Sequence, residues 1–308
     1  MTATISFADR VAIVTGGARG LGAAYARELA RRGAAVVVHD NGAAHDGTGS
    51  DPEPATAVAG EIVAAGGRAQ ACTTDASTPD GGRAAVDLAT SHFGRLDVVV
   101  ANAGIVHSDP FEDWTTNRFE ALIRHHLLAA FHVVRPAFAV MKAAAYGRVV
   151  FVSSAAGVFG QPGLAGYATA KTGMLGLMNV AAIEGAEFGI AANAIMPMAY
   201  TRMASAILGE AAASPDARAF LETLRLDQVA PVVAYLASEH CTMTHTVLSA
   251  FAGRVAALQI GVTRGWSGSD LRLTAEDVEA HLPEIINADQ ILVPQNIFDE
   301  MAHATTLS

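Results

Sequence analysis

Tyr167 and Lys171 lie four residues apart in a helical stretch, so their side chains share one helix face. An ammonium group beside a phenol favours the phenolate, and we expect Lys171 to lower the pKa of Tyr167 from about 10 toward neutrality. Such a tyrosine acts as general acid toward a carbonyl oxygen and as general base toward an alcohol. The same spacing also occurs on ordinary helix surfaces, so the assignment needs further residues.

Two serines follow the β-branched run Arg148–Val152, and Ser154 precedes Tyr167 by 13 residues. A hydroxyl at the carboxyl end of a buried parallel strand faces the crevice in which α/β proteins bind ligands. We expect Ser154 to donate a hydrogen bond to the oxygen on which Tyr167 acts. Ser153 is the alternative, although its side chain is expected to point elsewhere.

A glycine-rich turn, TGGARGLG at residues 15–22, joins the first β-branched run to the first helical stretch. Glycines there let the backbone approach a pyrophosphate, and the free N–H groups of the helix start bind the anion. An ordinary turn is the alternative, but its place between a first strand and a first helix favours dinucleotide binding. The residues expected to contact the cofactor here are Gly16, Arg19, Gly20, Leu21 and Gly22.

Asp40 ends the second β-branched run, 18 residues after Gly22. A carboxylate at this place accepts hydrogen bonds from the adenosine ribose and repels a 2′-phosphate, which favours NAD over NADP. Arg19 argues for NADP, because a base in the glycine turn can reach that phosphate. We expect Asp40 to decide, since a charge-assisted bond in a closed pocket outweighs the pairing of an exposed arginine.

Short apolar runs alternate with longer helical stretches, which predicts right-handed strand–helix–strand units. The runs are apolar throughout, as expected for parallel strands covered on both faces. We predict an α/β fold with a Rossmann-type, doubly wound parallel sheet and helices on both faces. The predicted strands are Val11–Thr15, Ala35–His39, Ala69–Thr73, Asp97–Ala101, Arg148–Val152 and Ala191–Ile195, and the helices are Leu21–Arg32, Ala55–Ala65, Gly81–Phe93, Thr116–Ala145 and Ala165–Phe188.

We predict one catalytic domain at residues 1–260 and a C-terminal helical extension at 261–308, packed on the same domain or on a partner subunit. A helix is expected to begin at Thr274, which pairs with Asp277 in the manner of a capping box. The segment Asn41–Pro54 is rich in Gly, Asp and Pro, and is predicted to be a long surface loop.

The composition argues against several classes of protein. Of 308 residues, 51% are apolar and 16% are charged, which excludes a disordered chain. The net charge of −10 argues against nucleic-acid binding. Cys72 and Cys241 form neither a disulfide framework nor a CxxC motif, so we expect buried thiols and no metal site. With no signal peptide and no apolar stretch of about 20 residues, we predict a soluble cytoplasmic protein.

Together these motifs resemble the short-chain dehydrogenase/reductase family, in order and spacing, over residues 7 to about 240. The resemblance implies a nicotinamide-dependent enzyme that interconverts a secondary alcohol and a ketone. It also implies that Asp75 and Ala76 contact the adenine, that Asn102 supports the central strand and that Thr201 reaches the nicotinamide carboxamide. The matching segments are residues 15–22, Asp75, Asn102-Ala103-Gly104, Ser154, YATAK at 167–171, Pro197 and Thr201.

His126 departs from the family pattern, which usually has an Asn that links the lysine to a proton-relay water. Imidazole also hydrogen-bonds water or a carbonyl, so His126 is a candidate for the relay, and a core histidine is the alternative. A His at this site, together with the stretches 20–42, 181–185, 197–203 and 229–236, is similar to the (3R)-hydroxyacyl-CoA dehydrogenase units of type 2 peroxisomal multifunctional enzymes. The sequence of residues 249–253 differs from the corresponding stretch of those units.

This similarity implies a 3-hydroxyacyl-CoA as substrate. A bulky steroid or terpenoid alcohol is the second possibility, and a non-catalytic NAD-binding sensor or scaffold is the third. The family also implies a homodimer or homotetramer that pairs through long helices. Apolar residues expected near the substrate are Phe159, Leu164, Met198, Tyr200 and Met203.

Overall fold

A computed structural model describes residues 4–201, 214–268 and 272–305. Its main feature is an eight-stranded sheet in the order β3-β2-β1-β4-β5-β6-β7-β8. The strands are β1 (Val11–Thr15), β2 (Ala35–His39), β3 (Arg68–Cys72), β4 (Val98–Ala101), β5 (Gly147–Val152), β6 (Ile190–Pro197), β7 (Val247–Phe251) and β8 (Arg254–Leu258). The helices beside them are α1 (Gly20–Arg31), α2 (Glu53–Ala64), α3 (Pro79–Phe93), α4 (Thr116–Ile123), α5 (Ala129–Ala143), α6 (Ala155–Phe159), α7 (Ala165–Gly185), α8 (Pro215–Thr223) and α9 (Ala230–Ala237).

Both faces of the sheet are buried. Ala12 and Val14 of β1 pack with α1, α2 and α9 in one core, while Val11 and Ile13 alternate with them and point to the opposite face. All four are at most 1% exposed. The continuous apolar runs in the sequence therefore reflect strands that are covered on both sides, and the predicted fold class is confirmed.

The strand order places the functional crevice. The chain winds outward from β1 through β2 to β3, then returns to the other side of β1 at β4 and continues to β7, with every pair parallel. The winding direction of the chain therefore reverses between β1 and β4. The connection after β1 leads to one side of the sheet, and the connection after β4 leads to the other. A crevice therefore opens at the carboxyl ends of these two strands.

Several details differ from the sequence prediction. β3 begins at Arg68, one residue before the predicted strand. The predicted helix over residues 116–145 is α4 and α5 joined by a π-helical turn, Arg124–Leu128. β7 and β8 were not predicted. They are joined by Ala252 and Gly253, which both have positive φ, as in a tight antiparallel hairpin.

The chain divides into two compact units, residues 1–257 and 258–308. The second unit contains an antiparallel pair, β9 (Val262–Thr263) with β10 (Ile291–Leu292), and helices α10 (Ala275–Ala280), α11 (Leu282–Ile285) and α12 (Ile297–Thr305). The predicted capping box is confirmed, because Thr274 Oγ1 accepts from Asp277 N and Asp277 Oδ2 accepts from Thr274 N.

The two cysteines and the apolar character of the helices were also examined from the sequence. Cys72 and Cys241 are free, buried thiols, as expected from their spacing. None of the helices in the described ranges combines the length and apolar character that crossing a membrane requires.

Candidate active site

One cleft of about 510 Å³ lies at the carboxyl ends of the central strands. It gathers residues from nine separate segments of the chain, between residue 16 and residue 224. All site residues selected from the sequence line it, namely Gly16, Arg19, Gly20, Leu21, Gly22, Asp40, Asp75, Ala76, Asn102, Ala103, Gly104, His126, Ser154, Tyr167, Lys171, Pro197 and Thr201.

The glycine turn is held tightly against the end of β4. Asn102 Nδ2 donates to the carbonyl oxygens of Thr15 and Gly16, at 3.0 and 3.3 Å. The Thr15 hydroxyl accepts from the backbone N–H of Asn102 and Ala103. A Cβ on Gly16 would lie 2.9 Å from Ala103 Cα, so only glycine fits there without displacing the backbone. Thr15 was not singled out from the sequence, although it is the first residue of the glycine motif.

Asp40 and Arg19 face the residues that follow β2. The two carboxylate oxygens of Asp40 accept from the backbone N–H of Ala18 (3.0 Å) and Gly42 (2.8 Å). The Arg19 guanidinium donates to the carbonyl oxygens of Gly42 and Ala43. Each Asp40 oxygen keeps a lone pair for a further donor, because a carboxylate oxygen can accept two hydrogen bonds.

Ser154, Tyr167 and Lys171 meet where β5 ends and α7 begins. The hydroxyls of Ser154 and Tyr167 are hydrogen-bonded to each other. Lys171 is 3% exposed, and its Nζ donates to the carbonyl oxygen of Val152 at 2.7 Å and lies 5.7 Å from the centre of the Tyr167 ring. A phenol, a hydroxyl and an amine are therefore gathered at one wall of the cleft.

The structure also separates the two serines. Ser153 is buried, and its hydroxyl donates to the carbonyl oxygen of Lys171 at 2.7 Å. Ser154 caps α6 by accepting from Ala156 N and remains in contact with Tyr167. Ser153 thus supports the helix that carries the lysine, whereas Ser154 lines the cleft beside Tyr167.

His126 lies in the π-helical turn, where it is 1% exposed. Its ring packs edge-on against the Tyr167 ring, with the centroids 5.2 Å apart. Nε2 lies 2.7 Å from the Ile105 carbonyl oxygen and 3.2 Å from the Ile105 N–H, and the shorter contact assigns the proton to Nε2. Nδ1 is then an acceptor, and it has no partner among the described residues.

Comparison with known proteins decides the family. The model of the short chain dehydrogenase family matches residues 10–210. A Mycobacterium tuberculosis protein named as a short-chain type dehydrogenase/reductase is 40% identical over 277 residues, which cover 90% of this chain and 94% of that protein. The chain is a short-chain dehydrogenase. It is therefore an oxidoreductase that uses NAD(P) to interconvert an alcohol and a ketone.

Multifunctional enzymes are also similar to this short-chain dehydrogenase. Mouse peroxisomal multifunctional enzyme type 2 is 38% identical over 265 residues, covering 86% of this chain but only 35% of that enzyme. The structure of the full-length Drosophila melanogaster enzyme of the same name superposes with a TM-score of 0.80 at 28% identity, over 98% of this chain and 50% of that one. This chain thus spans between a third and a half of those enzymes.

The cleft of the dehydrogenase fits a dinucleotide cofactor. Helix α1 begins at Gly20 without a side-chain cap, whereas Thr78 and Thr115 cap α3 and α4, so the first N–H groups of α1 remain available to an anion. Gly20 has φ +52°, and a Cβ there would meet nothing closer than Thr201, at 3.6 Å. The space above Gly20 is therefore open to a pyrophosphate.

The expected lowering of the Tyr167 pKa by Lys171 is wrong for this structure. Burial raises the pKa of Tyr167, and the opposing effect comes from its hydrogen bond with Ser154. Burial also lowers the pKa of Lys171 to about 7. A lysine that is partly neutral near pH 7 supplies less positive charge to the phenol than a solvated ammonium does, and its Nζ is directed at Val152 O.

Gly104 makes room for His126. A Cβ on Gly104 would overlap the Cε1 atom of the imidazole. We expect Gly104→Ala to displace the ring from Tyr167, to lower the free energy of unfolding by about 1–3 kcal/mol through overpacking and to reduce kcat. Thermal and denaturant unfolding together with steady-state kinetics would measure both effects.

The matched control removes the ring itself. In a His126→Ala background the added methyl group of Gly104→Ala has space, so the further loss of stability should disappear. If Gly104→Ala lowers the free energy of unfolding equally in the wild-type and His126→Ala backgrounds, the contact with His126 is not the cause of the lost stability.

Sequence reasoning missed much of the substrate side of the cleft. Helix α8 and the residue that follows it carried no motif in the sequence, yet Phe220, Leu221 and Leu224 line the cleft together with Met198. Of the other apolar residues expected near the substrate, Leu164 is in the core, and Phe159 and Tyr200 are exposed outside the lining. Met203 lies outside the described residues.

Proposed function

We propose that this short-chain dehydrogenase interconverts a 3-hydroxyacyl-CoA and the corresponding 3-oxoacyl-CoA, with NAD as cofactor. The observation that carries the proposal is the likeness to type 2 multifunctional enzymes, which covers 98% of this chain in the Drosophila structure. The cleft wall supports it, because Met198, Phe220 and Leu224 offer an apolar surface for an acyl chain.

Each polar side chain has a role in the proposed reaction. Tyr167 takes the hydroxyl proton of the alcohol, and Ser154 donates to the oxygen as it becomes a carbonyl. Lys171, with a pKa of about 7, binds the nicotinamide ribose and exchanges the proton with Tyr167. The Nδ1 atom of His126, which has no partner among the described residues, accepts a hydrogen bond from a relay water. The bound nicotinamide supplies the hydride acceptor.

NAD is the proposed cofactor because of Asp40. Its carboxylate is fixed by two backbone N–H donors and keeps lone pairs for ribose hydroxyls. A 2′-phosphate in the same place would meet this negative charge at close range. Arg19 does not offset the repulsion, since its guanidinium is directed at the carbonyl oxygens of Gly42 and Ala43.

A substrate panel tests both parts of the proposal. The purified protein would be assayed with 3-hydroxyacyl-CoA thioesters of several chain lengths, with a hydroxysteroid and with a terpenoid alcohol, each with NAD and with NADP. We expect NADH formation with a thioester. Turnover of the steroid or terpenoid alone would replace the substrate assignment, and cofactor binding without turnover of any alcohol would favour a sensor or scaffold.

We also propose a homodimer or homotetramer formed through α5 and α7. The residues that support it are exposed and apolar, and they include Phe131 on α5 and Val180 and Ile183 on α7, the last two 54% and 52% exposed. Such side chains are typical of an interface between subunits.

Light scattering would measure the assembly. We expect Ile183→Asp to convert the oligomer to a monomer, because the interface would have to bury an unpaired carboxylate. Val63→Asp, at an equally exposed apolar position on α2, is the control and should leave the mass unchanged. A wild-type protein with the mass of one chain would contradict the proposal.

A further inference from the structure

The segment between β2 and α2 is a compact loop that lies over the cleft. We name residues 41–51 the nucleotide loop. Its ends are joined by a hydrogen bond from Asp51 N to Asn41 O (2.8 Å), and Ala44 N donates to Thr48 O (2.8 Å) across a turn. Four of its residues line the cleft, namely Asn41, Ala43, Ala44 and His45.

The far side of the nucleotide loop is attached beyond β4. The His45 carbonyl oxygen accepts from Val106 N at 3.0 Å, and Gly47 lies against the ring of His125. β2 and β4 flank β1 on opposite sides in the sheet. A loop that leaves β2 and bonds to residue 106 must therefore pass over the carboxyl end of β1, where the glycine turn lies.

The near side of the loop is attached to that glycine turn by one side chain. Arg19 Nη1 donates to the carbonyl oxygens of Gly42 (3.2 Å) and Ala43 (2.9 Å), and Nη2 donates to Gly42 (3.3 Å). Both terminal nitrogens are thus directed at loop carbonyls. The planar guanidinium matches this pair of acceptors, whereas an ammonium group cannot present the same fork.

We infer that Arg19 is a positioning residue, which clamps the nucleotide loop over the cleft and so shapes the adenosine-ribose site around Asp40, and that it is not a phosphate ligand. The inference rests on the proposed preference for NAD. Because Gly42 bonds both to Arg19 and to the Asp40 carboxylate, release of the clamp would loosen the residue that orients Asp40.

The first test measures the loop in the protein without nucleotide. Hydrogen–deuterium exchange of peptides that cover residues 41–51 would be compared in wild type, Arg19→Ala and Arg19→Lys. We expect exchange about 10-fold faster in both variants, because the alanine methyl group donates no hydrogen bond and the lysine side chain ends one bond short of the Nη1 and Nη2 positions of Arg19. Arg31→Gln, which replaces an exposed arginine at the far end of α1, is the control and should exchange as wild type.

The second test measures binding by fluorescence titration with NADH and with NADPH. For a clamp, both Arg19 variants should bind NADH about 5- to 10-fold more weakly, and steady-state kinetics should show the defect mainly in the KM for NAD. For a phosphate ligand, Arg19→Ala would weaken NADPH binding alone, and Arg19→Lys would retain it.

Unchanged loop exchange in both variants, or a loss confined to NADPH, would overturn the inference. Failure of the NAD preference is a separate result, because the exchange experiment contains no cofactor. The wild-type enzyme could prefer NADP while its loop is protected and exchanges faster in both Arg19 variants. That result would support the clamp and contradict the proposed preference for NAD.

Discussion

Replacing Tyr167 by phenylalanine is expected to lower kcat by about 10³-fold, the usual contribution of a general acid–base group. The change removes only the hydroxyl that, in the proposed mechanism, exchanges the proton with the substrate. The ring remains, and with it the edge-on contact with His126. NADH binding and the melting temperature should therefore stay close to wild type, which separates a catalytic defect from a folding defect.

Tyr25→Phe is the matched control. Tyr25 is fully buried in α1 outside the cleft, and its hydroxyl has no partner among the described residues. Loss of that hydroxyl should leave kcat unchanged and should not reduce stability, since an unsatisfied buried polar group is removed. A Tyr167→Phe enzyme that keeps most of its turnover would exclude Tyr167 as the acid–base group.

The pH dependence of the reaction follows from the same group. Burial raises the pKa of Tyr167 and the bond with Ser154 lowers it. In the proposed mechanism, oxidation of an alcohol needs the deprotonated phenol, so we expect its rate to rise with pH. Ser154→Ala removes the lowering contribution, and the rising limb of kcat against pH should move to higher pH. A limb that stays in place would show that Ser154 does not stabilise the phenolate.

The second large effect concerns Asp40. Asp40→Asn is expected to raise the KM for NAD by about 10- to 100-fold, because hydrogen bonds to a charged group contribute about 1.5–3 kcal/mol. The KM for NADP should rise less or fall, since the variant no longer repels the 2′-phosphate. Values of kcat/KM for both cofactors would show the change as a lower ratio of NAD to NADP.

Asp87→Asn is the control for net charge. Asp87 is exposed on α3, outside the cleft, and its replacement should leave both cofactors unaffected. If Asp40→Asn lowers kcat/KM equally for NAD and NADP, the carboxylate supports only the turn at Ala18 and Gly42 and does not select the cofactor.

The features that depend on short stretches of chain were predictable. The apolar runs determine β1 and β2 to the residue, because both faces of each strand must be covered. The spacing of Tyr167 and Lys171 places them on one face of α7, and the glycine turn follows β1 directly. Since parallel strands expose their carboxyl ends at the same edge, the convergence of these motifs in one cleft was also predictable.

Features that depend on contacts between distant segments were decided by the tertiary structure. Ser153 and Ser154 are neighbours in sequence, and only the packing of α7 assigns the first to the Lys171 carbonyl and the second to Tyr167. β7 and β8 lie at one end of the sheet. They were not predicted because the apolar, β-branched pattern is weaker in their sequence than in the central strands.

The cationic side chains show the difference most clearly. From the sequence, Lys171 was expected to supply a full charge to Tyr167, and Arg19 was a candidate for a phosphate. In the folded protein, burial lowers the pKa of Lys171 to about 7, and Arg19 bonds to the nucleotide loop. The sequence determined which groups reach the cleft. Their charge and direction depend on desolvation and hydrogen-bond geometry, which arise only when the distant segments are packed together.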